Sequence, residues 1–271
     1  MNLTGPNPNI NTVVIIPARF DSIRLPGKAL MEIAGKPMIC HVVERAREAQ
    51  NVGNVIVATD DARILDVVQQ AGYQAIMTSS EHRSGTDRVA EVAEKLPSAR
   101  IIVNVQGDEP LISPRTIDNA IDALVADEEA GVATTWEPLH LASEVLSPDV
   151  VKIVIGKAGR VLYFSRAPVP YPRDAVRRHG TLEAALNNEP TLFEGFRKHT
   201  GLYVFRREVL LDFARWPESE LERAESLEQL RALEQGVKIK AVKAQSEAIG
   251  VDTTEDLEHV RRLMGSGVQT C

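Results

Sequence analysis

Cysteine is nearly absent: of 271 residues only Cys40 and Cys271 are cysteines. Two such positions make no disulfide framework and match no zinc-ligand spacing, which fits a reducing compartment. Cys40 lies in the apolar run Met38-Ile39-Cys40 and reads as a small core residue, whereas Cys271 ends the chain. No apolar run approaches the ~20 residues needed to span a bilayer. Residues 1–11, MNLTGPNPNIN, lack a basic n-region and an apolar h-region, so they read as a disordered lead-in and not as a signal peptide. These absences point to a soluble, cytoplasmic protein. No G-x-x-x-x-G-K-[ST] occurs, which excludes a Walker A loop, and no G-x-G-x-x-G occurs, which argues against a dinucleotide-dependent dehydrogenase. The net charge of −7 is a poor basis for general nucleic-acid binding, which rests on neutralising phosphates. A nucleotide substrate needs only local positive charge and stays open.

What is present is an α/β pattern. Val13-Val14-Ile15-Ile16, ended by Pro17, reads as a fully buried parallel strand. Met38 to Gln50 has helical spacing, with Ile39, Val42, Val43 and Ala46 on one face. Val55–Ala58 is a second buried strand, and Asp60-Asp61 can cap a helix that stops at Gly72. A short strand at 75–77, a helix at 86–96, a strand at 101–105 and a helix opened by Ser113-Pro114 follow. Strands and helices that alternate over short links predict a doubly wound, mostly parallel sheet, whose ligands bind beyond the carboxyl ends of the strands. Past Val150 the pattern loosens. A hairpin is expected from 151–155 and 161–164, then a Pro- and Arg-rich, mostly surface insertion over 167–194. A strand at 199–205, one helix over 221–235, a strand at 239–242 and a final helix from Thr253 or Thr254 complete the reading.

Two stretches carry chemistry. Arg19, Arg24 and Lys28 place three cations in ten residues directly after the first strand, with Gly27 allowing close backbone approach. Any one of these cations alone reads as a solvated turn. Together, at the carboxyl end of the first strand, they read as a grip on a nucleoside triphosphate. The second stretch is Gln106-Gly107-Asp108-Glu109-Pro110. An acid at a strand's carboxyl end suits Mg²⁺ held on substrate phosphates, because Mg²⁺ takes one or two carboxylates and fills its shell with phosphate and water. The alternative is an Asp turn before a helix. Asp108 is read as the metal ligand and Glu109 as structural.

These stretches, with His82–Arg88, Val103–Pro110, Tyr163–Ala167, His199–Tyr203, Leu227–Arg231 and Gly250–Thr253, closely resemble the 3-deoxy-manno-octulosonate cytidylyltransferases, also called CMP-Kdo synthetases. The resemblance runs from about Val13 to Met264. It implies a Rossmann-like nucleotidyltransferase fold, one domain over 12–266 with an inserted hairpin and dimerisation region at about 156–206, and a homodimer. It also implies transfer of CMP from CTP to the anomeric hydroxyl of Kdo with Mg²⁺, which activates the sugar for lipopolysaccharide synthesis. The alternative acceptor is a related acid sugar, 8-amino-Kdo or a sialic acid. By the same resemblance Arg19, Arg24 and Lys28 bind the triphosphate. The backbone of Pro17 and Ala18, with Thr78 and Ser84, recognises the nucleoside, and Asp108 and Asp252 hold the metal. Gln106, Arg166, His199, Tyr203, Glu228 and Gln229 line the sugar pocket, with Arg166 toward the sugar carboxylate. Read without the family, Arg166 is a surface charge, His199 a satisfied strand histidine, Tyr203 core, and Glu228 a solvated partner of Arg231 at i, i+3.

Overall fold

The branched run at Val13–Ile16 lies inside β1 (Thr12–Ala18). The strand does not stop at Pro17 as expected. In a parallel ladder alternate residues face alternate neighbours. Ile16 and Ala18 are in register with Val57 and Thr59 of β2 (Asn54–Thr59), while Pro17 faces the other side, where pairing with Ile101–Asn104 ends at Ile15. The missing Pro N–H therefore costs the ladder nothing.

The computed structural model describes residues 11–21 and 25–265. Most of the expected lead-in, Arg24 and Cys271 lie outside them; Asn11 does not, since its carbonyl accepts from the Arg100 N–H at 2.9 Å. After β1 and β2 come β3 (Gln74–Met77) and β4 (Ile101–Asn104), interleaved with α1 (Met38–Arg47), α2 (Ala62–Gln70), α3 (Gly85–Glu94) and α4 (Pro114–Val125). The chain continues through β5 (Ala130–Pro138), α5 (Ala142–Leu146), β6 (Lys152–Ile155), β7 (Val161–Ser165), α6 (Arg173–His179), α7 (Leu182–Asn188) and β8 (Arg197–Arg206). It ends with α8 (Arg207–Arg215), α9 (Glu220–Glu225), α10 (Gln229–Glu234), β9 (Lys238–Lys243) and α11 (Thr254–Gly265). Where the sequence suggests one domain over 12–266, packing separates two compact units. One comprises residues up to Asp122 with Leu202–Arg215 and the chain from Gln245; the other comprises Ala123–Gly201 and Trp216–Ala244.

In the first unit the strand order is β8-β4-β1-β2-β3, with β4, β1, β2 and β3 mutually parallel and the last residues of β8 antiparallel to β4. The order of the parallel strands reverses between β1 and β4, and a ligand crevice is expected beyond the carboxyl ends of those two strands. Val14, Ile15, Ile16, Ile102 and Val103 are fully buried, as are Ile39, Val42, Ile64, Val68, Val89 and Val92 on the helices. Local chemistry sets the helix ends. Asp61 accepts the Arg63 N–H to start α2, Ser84 and Asp87 form a capping box on α3, and Gly72 takes the positive φ that ends α2. Among the described residues no helix is long and apolar enough to cross a membrane.

In the second unit β9 runs parallel to β5, β5 neighbours β8, and the expected hairpin forms from β6 and β7. The structure adds to the sequence reading at two places here and corrects it at a third. The strand β5 is absent from the sequence reading because Ala-Gly-Val-Ala-Thr-Thr is buried on both faces and shows no alternation. The stretch 167–194 is mostly surface, as expected, but it is not irregular: α6 and α7 bury Ala175, Leu182, Ala185 and Leu186, and Leu182 and Leu186 join Leu139, Val145 and Phe196 in a small core. The helix expected over 221–235 is two helices, broken where Ser226 adopts a left-handed φ of 52°. Leu186 is fully buried, so Leu186→Ala is expected to cost about 2–5 kcal/mol in a denaturant titration. A loss below about 0.5 kcal/mol would mean that Leu186 does not sit in a packed core.

Candidate active site

The carboxyl end of β1 leads into a loop that folds back on itself. The Gly27 N–H donates to the Phe20 carbonyl at 2.8 Å, and Gly27 has a φ of 70° that favours glycine. The turn starts the short helical segment Lys28–Leu30, and Leu25 packs beside it with Met38, Val251 and Leu257. Lys28 is thereby held on a firm base. Its Nζ donates to Asp108 Oδ2 at 2.6 Å, to Asp252 Oδ1 at 3.1 Å and to the Val251 carbonyl at 3.3 Å. Burial pulls the ammonium pKa down, but the Asp108 and Asp252 charges and hydrogen bonds outweigh it and leave it raised above its ordinary value.

Both carboxylates arrive by tight backbone routes. Asp108 follows Gly107, where an added Cβ would stand 2.7 Å from the Pro17 carbonyl oxygen, so only glycine lets the chain after β4 pass so close to β1. Asp252 follows the fully buried Val251, whose N–H donates to the Asp108 carbonyl at 2.9 Å. Thr253 and Asp256 exchange side-chain-to-backbone bonds at the start of α11, which makes Thr253 the capping residue, and Asp256 also accepts the Asp252 N–H. Residues 80 and 224 positions from Lys28 thus meet at one nitrogen.

The nucleoside candidates are grouped at the loop after β3. Arg19 donates through Nη2 to the carbonyls of His82 (2.6 Å) and Ser84 (3.1 Å), so here it ties down that loop. Ser84 spends its hydroxyl on the α3 cap, accepting from the Asp87 N–H. Thr78 accepts from Arg88 Nη1, and Arg88 Nη2 lies 2.5 Å from Asp60 Oδ2. Arg88 is fully buried in the Val89–Val92 region of α3. Sequence reasoning gave it no role, yet a charge inside an apolar helical stripe was a legible signal. Glu91 completes the clamp by accepting from the Ser79 N–H and bonding His82 Nε2, and its carboxyl is lowered to about 2: burial alone would raise it, and Lys95, Ser79 and His82 reverse that. Pro17 and Ala18 lie in β1. The Gln106 amide approaches Asn104 Oδ1 at 3.5 Å, and Tyr203 is buried, stacked on Phe205 and in register with Asn104.

The remaining candidates lie in the second unit. Arg166 is no free surface charge. Its guanidinium donates to the carbonyls of Glu225, Pro148 and Ser226, so it braces the break between α9 and α10. Glu228 and Gln229 open α10, and Gln229 is buried. Arg231 donates through Nε and Nη2 to the Glu222 carboxylate. His199 bonds Thr134 Oγ1 at 2.9 Å and meets the Phe164 ring edge-on. Burial of the ring pushes its pKa down to about 3.

His199 therefore stays neutral at working pH. Between pH 6.5 and about 3 the unfolded chain binds a proton that the folded ring refuses. Stability from the neutral ring is complete above pH 6.5 and is lost as pH falls toward 3. In an NMR titration the His199 ring is expected to show no midpoint between about pH 5 and 8; a midpoint at the usual histidine value would mean a solvated ring.

Comparisons with known proteins place the chain in a family. A family model described as cytidylyltransferase matches residues 13–239. The chain is 48% identical over 255 residues to a 3-deoxy-manno-octulosonate cytidylyltransferase of Trichlorobacter lovleyi, covering 94% of this chain and 99% of the relative. It is 49% identical over 251 residues to the enzyme of that name from Geobacter sulfurreducens, covering 93% and 98%. A solved CMP:2-keto-3-deoxy-manno-octonic acid synthetase complexed with CTP superposes with a TM-score of 0.85 at 43% identity, covering 95% of this chain and all of that one. A Leptospira borgpetersenii cytidylyltransferase, at 16% identity and a TM-score of 0.61, shares the fold. With a relative this similar over nearly its whole length, the chain belongs to the 3-deoxy-manno-octulosonate cytidylyltransferase family.

Proposed function

We propose that the protein transfers CMP from CTP to the anomeric hydroxyl of Kdo. The hydroxyl oxygen attacks the α-phosphorus, the bond from that phosphorus to the bridging oxygen breaks, and pyrophosphate leaves with the hydroxyl proton released. The observation that carries the proposal is the meeting of Lys28, Asp108 and Asp252 beyond the ends of β1 and β4. Phosphoryl transfer asks mostly for positioning and charge neutralisation, and these residues can supply both.

Two carboxylates converging on one cationic atom form a donor set that suits Mg²⁺, which takes one or two carboxylates plus phosphate and water. Among the described residues no cluster of three His, Cys, Asp or Glu forms an all-protein cage, and this chemistry does not need one. Asp108 and Asp252 would hold the ion. Bound there, it would neutralise phosphate charge and make the attacking hydroxyl more acidic. Lys28 would then turn its ammonium from the carboxylates to the triphosphate, which Arg24 would also bind. Arg19 would keep the His82–Ser84 loop in place while its guanidinium faces the phosphates. Pro17 and Ala18 backbone, Thr78 and Ser84 would meet the nucleoside. Gln106, Arg166, His199, Tyr203, Glu228 and Gln229 would form the acceptor side, where His199 acts as a neutral hydrogen-bonding ring. Arg166 would give up part of its carbonyl bracing to pair with the sugar carboxylate. The same reading carries a homodimer, which light scattering would report as twice the chain mass.

Pyrophosphate release with CTP, Mg²⁺ and a panel of Kdo, 8-amino-Kdo and sialic acid is the direct assay. Kdo is expected to give the highest kcat/KM, and preference for another acid sugar would replace the acceptor. Asp108→Asn is expected to keep the fold and lose at least about 100-fold in Mg²⁺-dependent kcat. Near-normal turnover in that variant would remove Asp108 from the metal site. Lys28→Ala is expected to weaken use of CTP and spare Kdo binding, as read by KM for each substrate.

A further inference from the structure

Lys152 is a costly residue in its position. It lies in β6, in register with Ser165 of β7 and Lys198 of β8, and its side chain is fully buried. Its ammonium is spent on main-chain carbonyls: Nζ donates to Ser147 at 2.8 Å and to Val150 at 2.6 Å. Burial holds its pKa below the ordinary lysine value; the Glu225 carboxylate opposes that shift and the Arg166 charge adds to it. A buried ammonium used only to close a turn would be an expensive way to do so. What lies inside the turn explains the residue better.

The turn from α5 to β6 runs Ser147-Pro148-Asp149-Val150, and the Asp149 N–H donates to Ser147 Oγ at 3.2 Å. Lys152 holds the first and last carbonyls of these four residues. The Pro148 carbonyl between them accepts from Arg166 Nη1 at 2.9 Å. Arg166 follows Ser165, the ladder partner of Lys152. Its backbone N–H donates to the Glu225 carboxylate at 2.8 Å, and the Ser165 hydroxyl lies 2.7 Å from the same carboxylate. All these residues belong to the second unit. With both ends of the turn held, the Pro148 carbonyl is a fixed point for one end of the guanidinium, and a planar fork fixed at one nitrogen keeps the orientation that bidentate carboxylate pairing needs. We infer that Lys152 is a positioning residue, which acts through the Pro148 carbonyl to orient Arg166 toward the carboxylate of the acid sugar. The inference rests on the proposed placement of Arg166 on the acceptor side. It makes the buried ammonium a support for acceptor binding, with no contact to CTP.

The test is a double-mutant cycle between Lys152→Met and Arg166→Lys, with KM for CTP and for the acid sugar preferred in the acceptor panel measured separately. Met keeps most of the lysine stem and removes the ammonium; Lys at 166 keeps the charge and removes the fork. Each single variant is expected to raise the acceptor KM by roughly tenfold or more and to leave the CTP KM within about twofold. If Lys152 acts through Arg166, the double variant is expected to be little worse than Arg166→Lys alone. Lys152→Gln retains two N–H donors for the turn and is expected to recover part of the acceptor KM; it also carries the cycle should Lys152→Met fail to fold. A merely structural lysine would lower the melting temperature with the acceptor KM unchanged, or raise both KM values alike, and either result overturns the inference. Additive penalties in the double variant overturn it as well. The outcomes separate from those of the underlying reading. An acceptor KM that responds to Arg166→Lys but not to Lys152→Met removes this inference and leaves Arg166 on the acceptor side. An acceptor KM indifferent to Arg166→Lys, or no transfer to any acid sugar, removes both.

Discussion

Two carboxylates placed side by side repel each other, and the first unit is organised around the cation that keeps them together. Lys28 Nζ lies within 3.1 Å of Asp108 and Asp252. Each of the three depends on a backbone device. These are the left-handed turn at Gly27, the close passage of Gly107 under the Pro17 carbonyl, and the bond from Val251 to the Asp108 carbonyl. The three side chains are only partly exposed, so an unpaired charge among them would be costly. A ligand bringing a cation alone or an anion alone would leave one of these groups without its partner. The proposed metal–triphosphate would bring both, so the carboxylates and the lysine would each keep a partner of opposite charge. That match of charges makes the proposed substrate fit this edge.

The loop after β3 is the second stabilised feature, and its restraints are also ionic. Arg19 holds two of its carbonyls, Glu91 takes its amide at Ser79 and its histidine at His82, and Arg88 holds Thr78 at its start. A loop of this kind, rich in Ser and charge, would otherwise lose considerable conformational entropy on meeting a ligand. Here that loss occurs on folding, and the polar groups are presented in fixed orientation. Preorganised dipoles are where much of an enzyme's advantage over water resides. The second unit uses the same device in Arg166, which bridges three carbonyls around the left-handed Ser226.

The elements that were legible in the sequence are those whose burial is uniform along the chain or whose ends carry their own chemistry. The branched runs of β1, β2 and β4 read as buried strands, and Asp61 and Ser113-Pro114 marked helix starts. The elements that escaped notice have other causes. The strand β5 is built from small residues and threonine. Two seven-residue helices, α6 and α7, are too short for a clear 3.6-residue period and are stabilised by packing on Leu139, Val145 and Phe196. The break at Ser226 replaces what local propensity reads as one helix, because Arg166 and the Glu222–Arg231 pair hold it from outside.

By itself the sequence determined the nature of the first sheet, the position of the cationic loop after its first strand, and, through the joint set of motifs, the family. It did so because hydrophobic period, turn residues and motif spacing are local properties of the chain. Only the tertiary structure decided which charges meet. Lys28 finds Asp108 and Asp252 across 80 and 224 residues, Arg231 meets Glu222 nine residues earlier, and Arg88, an unremarked helical charge, bonds Thr78 and Asp60 from inside the core. The physical reason is that an ion pair falls off with distance in space and not along the chain. Its partners are set by which strand ends and helix starts the packed core brings within hydrogen-bond reach.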